Sequence, residues 1–517
     1  MRPALPPSPG GRRWWAHNRD MTKRTQKMEG EESMKKTLAT AQPLRKNVVA
    51  PKEVTFLKAL LHGDLFVKLS TLIMGLGYAR RGKYLHAIVM TVVEVLFGWY
   101  CIGFGSKYLS KLGTLGTQVA KSYFDIATFK NVWTEGDNSF LILLYSVLSI
   151  CIIAVFLLLW VQNIKNAYRL QLTAQRDGYI PTLRDDVHSA LEEKYHVTLL
   201  ALPVLGVVMF TIIPLIVMIC VAFTNYDQEH MPPSALFTWV GLTNFKKLLS
   251  TELSLNFSYA FWRVLAWTLV WAVLATFTCY IGGILLALLI NNKKTRCKKM
   301  WRTCFIVAMA VPQFVSLLLV RSFFANQGIV NTICSNIGLT DLLKNIGLVP
   351  AHMNYIPFLT DMGWARFMII MINIWVGVPY LLLIATGVLM NIPQDLYEAA
   401  TIDGANSFQQ FRKITMPYML FVTGPYLINS VVQNINNFNV IYLLTNNVYQ
   451  TTNQKMATAN ANDVDLLVTW LFKLTTNEPK QYNMAAVIGI LVFVVCSVIT
   501  LLAFNVVTRG NQEEAMQ

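Results

Sequence analysis

Residues Pro425 to Val440 read PYLINSVVQNINNFNV, an amide-rich run inside an otherwise apolar segment. Ser430, Asn434 and Asn437 recur at helical spacing, and Asn429, Gln433 and Asn436 form the neighbouring stripe. Each amide carries donors and acceptors together and no charge, which suits a neutral polyhydroxylated ligand better than an ion. The preceding apolar segment holds Trp375 and Tyr380, whose flat faces match the apolar side of a sugar ring, with Gly377 between them leaving room for close approach. The other use of such amides is to hold membrane helices together. Six amides and hydroxyls in two adjacent stripes favour a water-accessible cavity.

Catalysis is not expected. The seven histidines show no HExxH spacing, and neither G-x-S-x-G nor the phosphate-cradling GxxxxGK[ST] occurs. If ATP drives this protein, another polypeptide must bind it, so no cofactor and no metal is expected on this chain. Glu94 is the only acidic residue well inside an expected span. An intramembrane carboxylate is a functional candidate, here either a proton site or a hydrogen-bonded helix contact.

The elements that must position these groups are membrane helices. The chain is 54% hydrophobic and 14% charged. Eight apolar stretches, about 84–105, 140–162, 198–223, 264–290, 303–320, 367–389, 419–444 and 484–507, approach the roughly 20 residues a bilayer requires. The expected fold is therefore an all-α polytopic membrane protein with eight transmembrane helices. The run Leu65–Gly77 is too short to span and is expected at the interface or against the bundle. With both termini cytoplasmic, 31 of the 44 lysines and arginines fall in inside segments, which is the positive-inside asymmetry. The net charge of +16 thus reads as topology, not nucleic-acid binding. The eight scattered cysteines show no metal or disulfide spacing and read as small buried hydrophobes. Residues 1–50 carry eleven basic and four acidic residues without apolar periodicity, a disordered cytoplasmic tail with no signal peptide. Residues 51–197 contribute the interfacial segment, two spans and a cytoplasmic linker. Residues 198–507 contribute six spans, and 508–517 a second cytoplasmic tail.

Between the sixth and seventh stretches lies a polar interruption, 391–418, read as a pair of short helices on the membrane face. Pro393 suits a helix start, and Asp395 and Glu398 place negative charge near its positive end. Gly404 can take the left-handed conformation that ends the helix. Ser407 with Gln410 reads as a capping box opening a second helix, which Pro417 closes. Ala399 and Ala400 leave a low surface on which another protein can sit.

The spacing Glu398-Ala399-Ala400, Gly404, Ile414, Met416-Pro417 resembles the coupling loop of ABC importer permeases, with Met416 where the family has Leu. Trp375–Tyr380, Ile392–Ala400, Asn434–Phe438 and Asp465–Val468 extend the likeness to the larger permease subunit of maltose/maltodextrin importers, over about residues 190–510. The resemblance implies a type I importer permease core of six helices, here with two more at the N-terminus, in the bacterial cell membrane. It also implies a second permease subunit, two ATPase subunits carrying ATP-Mg, and an extracytoplasmic sugar-binding lipoprotein. Carried over by motif, the sugar-contacting positions are Gln313, Leu318, Trp375, Gly377, Tyr380, Ser430, Gln433, Asn434 and Asn437. The ATPase-coupling positions are Glu398, Ala399, Ala400, Asp403, Gly404, Ile414 and Pro417. Gln433 and Gln313 depart from the aromatic and the hydroxyl of the best-known member, which leaves sugar identity open. The rival reading from the residues is a stand-alone secondary sugar transporter or channel using Glu94.

Overall fold

The computed structural model describes residues 54–126, 129–133, 136–177, 180–250, 256–292 and 294–514. The expected tail over residues 1–50 lies outside these. In hydrocarbon a long apolar run must pair its own backbone groups, and the α-helix does so. Among the described residues six helices are long and apolar enough to cross a bilayer: Tyr84–Leu109, Ser139–Arg176, Tyr195–Val221, Asn256–Asn291, Met362–Met390 and Tyr482–Asn505. They correspond to six of the eight expected stretches. The other two, 303–320 and 419–444, are not single helices.

In chain order the main elements are α1 (Tyr84–Tyr100), the hairpin strands β1 (Ser122–Asp125) and β2 (Lys130–Trp133), α2 (Ser139–Asp177), α3 (Tyr195–Val207) and α4 (Ile213–Val221). There follow α5 (Asn256–Asn291), α6 (Lys298–Ala310), α7 (Gln313–Phe323), α8 (Met362–Met390), α9 (Gln394–Ile402) and α10 (Ser407–Gln410). The chain ends with α11 (Met416–Ile435), α12 (Phe438–Thr445), α13 (Leu467–Thr476) and α14 (Tyr482–Glu514). Among the described residues the fold is helical apart from the small hairpin, in which Ser122 pairs with Trp133 and Asp125 with Lys130, and one isolated bridge between Thr224 and Trp239.

The two broken segments have local causes. Pro312 is extended, at φ −54 and ψ 129, and separates α6 from α7. Its ring removes a helical N–H. Between α11 and α12 the Asn437 side chain accepts the N–H of Val440 and starts a new helix. An Asn side chain competes with the helix for backbone donors in this way. The stripe expected to run through Asn437 on one helix therefore ends at Ile435, and Asn436 and Asn437 occupy the break.

The chain divides into two compact units. One takes residues up to Trp99 together with Ile153–Thr198; the other takes Tyr100–Ile152 and everything from Leu199. In the first, Val67 of the Leu65–Gly77 run clusters with Val54 and Ala59 and with Ile164, Ala167 and Tyr168 of α2, and the Thr71 carbonyl accepts the Trp160 indole N–H at 3.1 Å. The segment is thus packed against a span, one of the two expected outcomes. Glu94 accepts the N–H of Met74, in the turn before the short helix Leu76–Ala79, at 2.7 Å.

In the second unit α5 and α8 approach closely, as small residues permit in membranes. A Cβ on Gly283 would lie 2.5 Å from the Leu381 Cβ, and one on Gly282 2.9 Å from a Val378 methyl. At the end of α8 away from α9, a polar network ties the 446–466 segment to α5 and α8. The Asp463 carboxylate accepts from Arg263 at 3.2 Å, from the Tyr449 hydroxyl at 3.2 Å and from the Thr451 hydroxyl at 2.5 Å. Arg366 donates through Nε to the Asp463 carbonyl at 3.1 Å and lies 4.3 Å over the Trp267 ring. Burial, with the Asp463 carboxylate beside it, pushes the Tyr449 hydroxyl well above its ordinary pKa, so it stays a donor. Two residues on, Asp465 is buried and pairs with Lys473 at 2.8 Å.

Candidate functional site

Both helix breaks open onto one cavity of about 360 Å³. It is lined by Cys279 from α5, Gln313 from α7, Asn373, Val376, Gly377, Tyr380 and Leu381 from α8, and Tyr426, Ser430, Gln433 and Asn434 from α11. Asn436, Asn437, Phe438 and Asn439 close it at the α11–α12 break. No charged side chain is among these residues. The volume falls within the roughly 300–1,000 Å³ of small-molecule sites. Irregular backbone at membrane depth is tolerated where it lines such a cavity.

Of the nine residues carried over as sugar-contacting, seven line this cavity: Gln313, Gly377, Tyr380, Ser430, Gln433, Asn434 and Asn437. Trp375 lines a neighbouring cavity of about 230 Å³ with Pro312, Ser316 and Pro379, and the two cavities share Gln313 and Val376. Leu318 is 42% exposed and lines neither; its neighbour Leu317 is the buried one. Gly377 is required by packing as well as by the cavity, since a Cβ there would lie 2.8 Å from the Cys279 Sγ.

Sequence reasoning missed three polar lining residues. Asn373 donates to the Cys279 Sγ at 3.4 Å. Tyr426 stands with its ring 6.3 Å from that of Tyr380. Asn439 reaches toward Gln313 at 3.5 Å. Asn373 lies four residues before Gly377 in an apolar span, a signal that was present in the sequence. Tyr426 resembles an ordinary span aromatic until the cavity is seen.

The 391–418 interruption does form a helix pair, with two corrections. Gly404 takes a left-handed φ of +77 after Asp403, the C-cap of α9. The capping box is formed by Asn406 and Gln409, each side chain accepting the other's backbone N–H, not by Ser407 and Gln410. Asn406 sits one residue earlier with extended backbone, the geometry a cap needs. Pro417 does not close the second helix. A π-helical turn at Phe411–Thr415 carries α10 directly into α11, so the proline falls in the first turn of α11, just past that π-helical segment. Tyr397 and Thr415 hydroxyls meet at 2.9 Å, and Gln410 donates to the Thr401 hydroxyl at 3.0 Å, locking the two arms. Glu398, Ala399, Asp403 and Gly404 are exposed, Ala400 and Ile414 half-buried, and Ile402 and Phe408 stand 86% and 69% exposed. A third cavity, of about 580 Å³, lies between Glu398, Tyr397 and Thr401 of α9 and Asn291 and Arg302.

Residues 279–511 match the model of the binding-protein-dependent transport system inner membrane component family. Over 448 residues the chain is 32% identical to the maltodextrin transport system permease protein MalC of Streptococcus pneumoniae, covering 86% of this chain and 96% of that one. The chain belongs to this permease family. The permease is also 31% identical to the maltodextrin permease MdxF of Bacillus subtilis, over 87% of this chain and 97% of that one. It is 34% identical to the galactooligosaccharide permease GanP of the same organism, over 78% and 87%. Its relatives are transport permeases, and the cavity and the helix pair both lie within, or overlap, the matched region.

Proposed function

We propose that this permease forms half of the translocation path of an ATP-driven carbohydrate importer, with maltose and malto-oligosaccharides as substrates. The observation that carries the reading is the uncharged amide-lined cavity at two helix breaks. Its lining offers donors and acceptors in equal kind, as a neutral sugar requires. Gln313, Tyr380, Ser430, Gln433, Asn434 and Asn437 would bond or stack the sugar, with Gly377 admitting it and Trp375 and Leu318 flanking the path. The relatives named for maltodextrin support that sugar class.

ATP-Mg would be bound by two separate ATPase subunits gripping the 391–418 helix pair, which bears Glu398, Ala399, Ala400, Asp403, Gly404, Ile414 and Pro417. The exposed Ile402 and Phe408 would give that grip its apolar anchor. A second permease subunit completes the pore, and an extracytoplasmic binding protein delivers the sugar. Both termini would lie in the cytoplasm. The domain division is read as a basic tail over 1–50, an N-terminal part over 51–197, the importer core over 198–507 and a tail over 508–517.

The test is reconstitution of the permease with its partner permease, ATPase and binding protein. Maltotriose should stimulate ATP hydrolysis and enter the liposomes, and Asn434→Ala should cut uptake about tenfold, as loss of one well-made hydrogen-bond pair does. Uptake of galactobiose in preference to maltotriose would reassign the sugar. Unaltered uptake by Asn434→Ala would remove this cavity from the path.

A further inference from the structure

Asn434 and Asn437 are held by a directed chain of hydrogen bonds whose last member is Thr276, a buried residue of α5. The direction is set at one end by the backbone. The Val440 N–H can only donate, and it donates to the Asn437 Oδ1 at 3.3 Å. Asn437 must then present its amide nitrogen on the other side, where it faces the Asn434 Oδ1 at 3.5 Å. Asn434 in turn has only its own Nδ2 left for Thr276, and donates to the Thr276 Oγ1 at 2.9 Å. The carbonyl of Asn434 accepts the indole N–H of buried Trp271 at 3.0 Å, beside the Asn437 backbone N–H at 3.2 Å.

We infer that Thr276 is a positioning residue for the sugar site: its hydroxyl oxygen anchors the Asn434 amide in the orientation that Val440 and Asn437 set, and so holds the face of Asn434 that is offered to the ligand. Each amide uses one donor and one acceptor within or at the ends of this chain. One N–H and one lone pair on each remain for a sugar, in a fixed orientation. Without the Thr276 oxygen, the Asn434 amide keeps only the long 3.5 Å contact from Asn437 and loses the 2.9 Å bond that holds it in place, so its donor and acceptor facing the cavity are less firmly aimed. Pre-set polar groups bind more tightly because the ordering cost is met before the ligand arrives. This inference rests on the sugar-site reading above and adds a residue that does not line the cavity.

The experiment uses the assembled transporter with its binding protein and labelled maltotriose. Thr276→Val keeps shape and removes the acceptor. It should lower maltotriose delivered per ATP hydrolysed about tenfold, while assembly yield and binding-protein-stimulated ATP hydrolysis stay within about twofold of the unsubstituted complex, a margin that a general folding defect would exceed. Thr276→Ser, which keeps the oxygen, should restore delivery. Adding Asn434→Ala to Thr276→Val should cost nothing beyond Asn434→Ala alone, because the two act as one unit. Should Thr276→Val not assemble, Thr276→Ala makes the same test without setting a methyl against the Asn434 amide. Equal losses in the Ser and Val variants would overturn the inference, since volume rather than the hydroxyl would then matter. Loss in Asn434→Ala but none in Thr276→Val would overturn it while sparing the sugar site. No loss in Asn434→Ala would sink the site itself, and this inference with it.

Discussion

At the scale of single residues, the cavity depends on groups that do two things at once. Gly377 faces the cavity and also lets α8 approach the Cys279 Sγ, where a Cβ would sit at 2.8 Å. Gly377→Ala should therefore destabilise the permease by about 1–3 kcal/mol through overpacking. Thermal unfolding of the purified complex would show it, and Cys279→Ala in the same chain should recover most of the loss. Failure of that rescue would mean that the clash lies elsewhere. Asn437 likewise caps α12 through Val440 and lines the cavity. Asn437→Asp keeps a good cap, because Asp and Asn are near-equal at that position, but replaces the amide nitrogen by an acceptor.

At the scale of elements, the decisive features are interruptions. Pro312 divides α6 from α7, and the Asn436–Asn437 step divides α11 from α12. These two breaks bring Gln313 and the amides to one place. The α9–α10 pair is the other such element, a rigid bracket joined through Tyr397–Thr415 and Gln410–Thr401 hydrogen bonds. Its corner is Gly404, at φ +77. A β-branched residue is strained there by about 1–2 kcal/mol. The space around Gly404 is open, with nothing within 4 Å of an added Cβ, so the strain falls on the corner's angle and not on packing. Gly404→Val should leave the permease in the membrane but lower uptake per ATP hydrolysed severalfold. Normal coupling in that variant would separate the bracket from the power stroke.

At the scale of the whole molecule, the sequence holds no GxxxxGK[ST] phosphate-binding loop, and the surfaces proposed for sugar and for ATPase are a cavity and an exposed bracket. Such a chain should move no sugar by itself. Reconstituted alone, it should show no maltotriose uptake above protein-free liposomes, with or without a proton gradient. Addition of the ATPase, the partner permease and the binding protein should restore uptake. Gradient-driven uptake by the chain alone would overturn the division of labour.

Much was legible in the amino-acid sequence. Runs of apolar residues determine membrane helices, because no other local structure satisfies their backbone in hydrocarbon. The polar interruption at 391–418 and the left-handed Gly404 follow from local caps and turns. The amides announced themselves by being polar where their neighbours are not. The breaks at Pro312 and Asn437 were harder, since a composition window averages across them, and a capping box shifted by one residue leaves almost the same pattern. Only the tertiary structure decided that Trp375 and Leu318 lie off the main cavity, that Asn373 and Tyr426 line it, and that Thr276 and Trp271 hold Asn434 from a helix about 160 positions earlier. The physical reason is that spans are set by each segment's own need to bury backbone, whereas a site is set by which faces of distant spans meet.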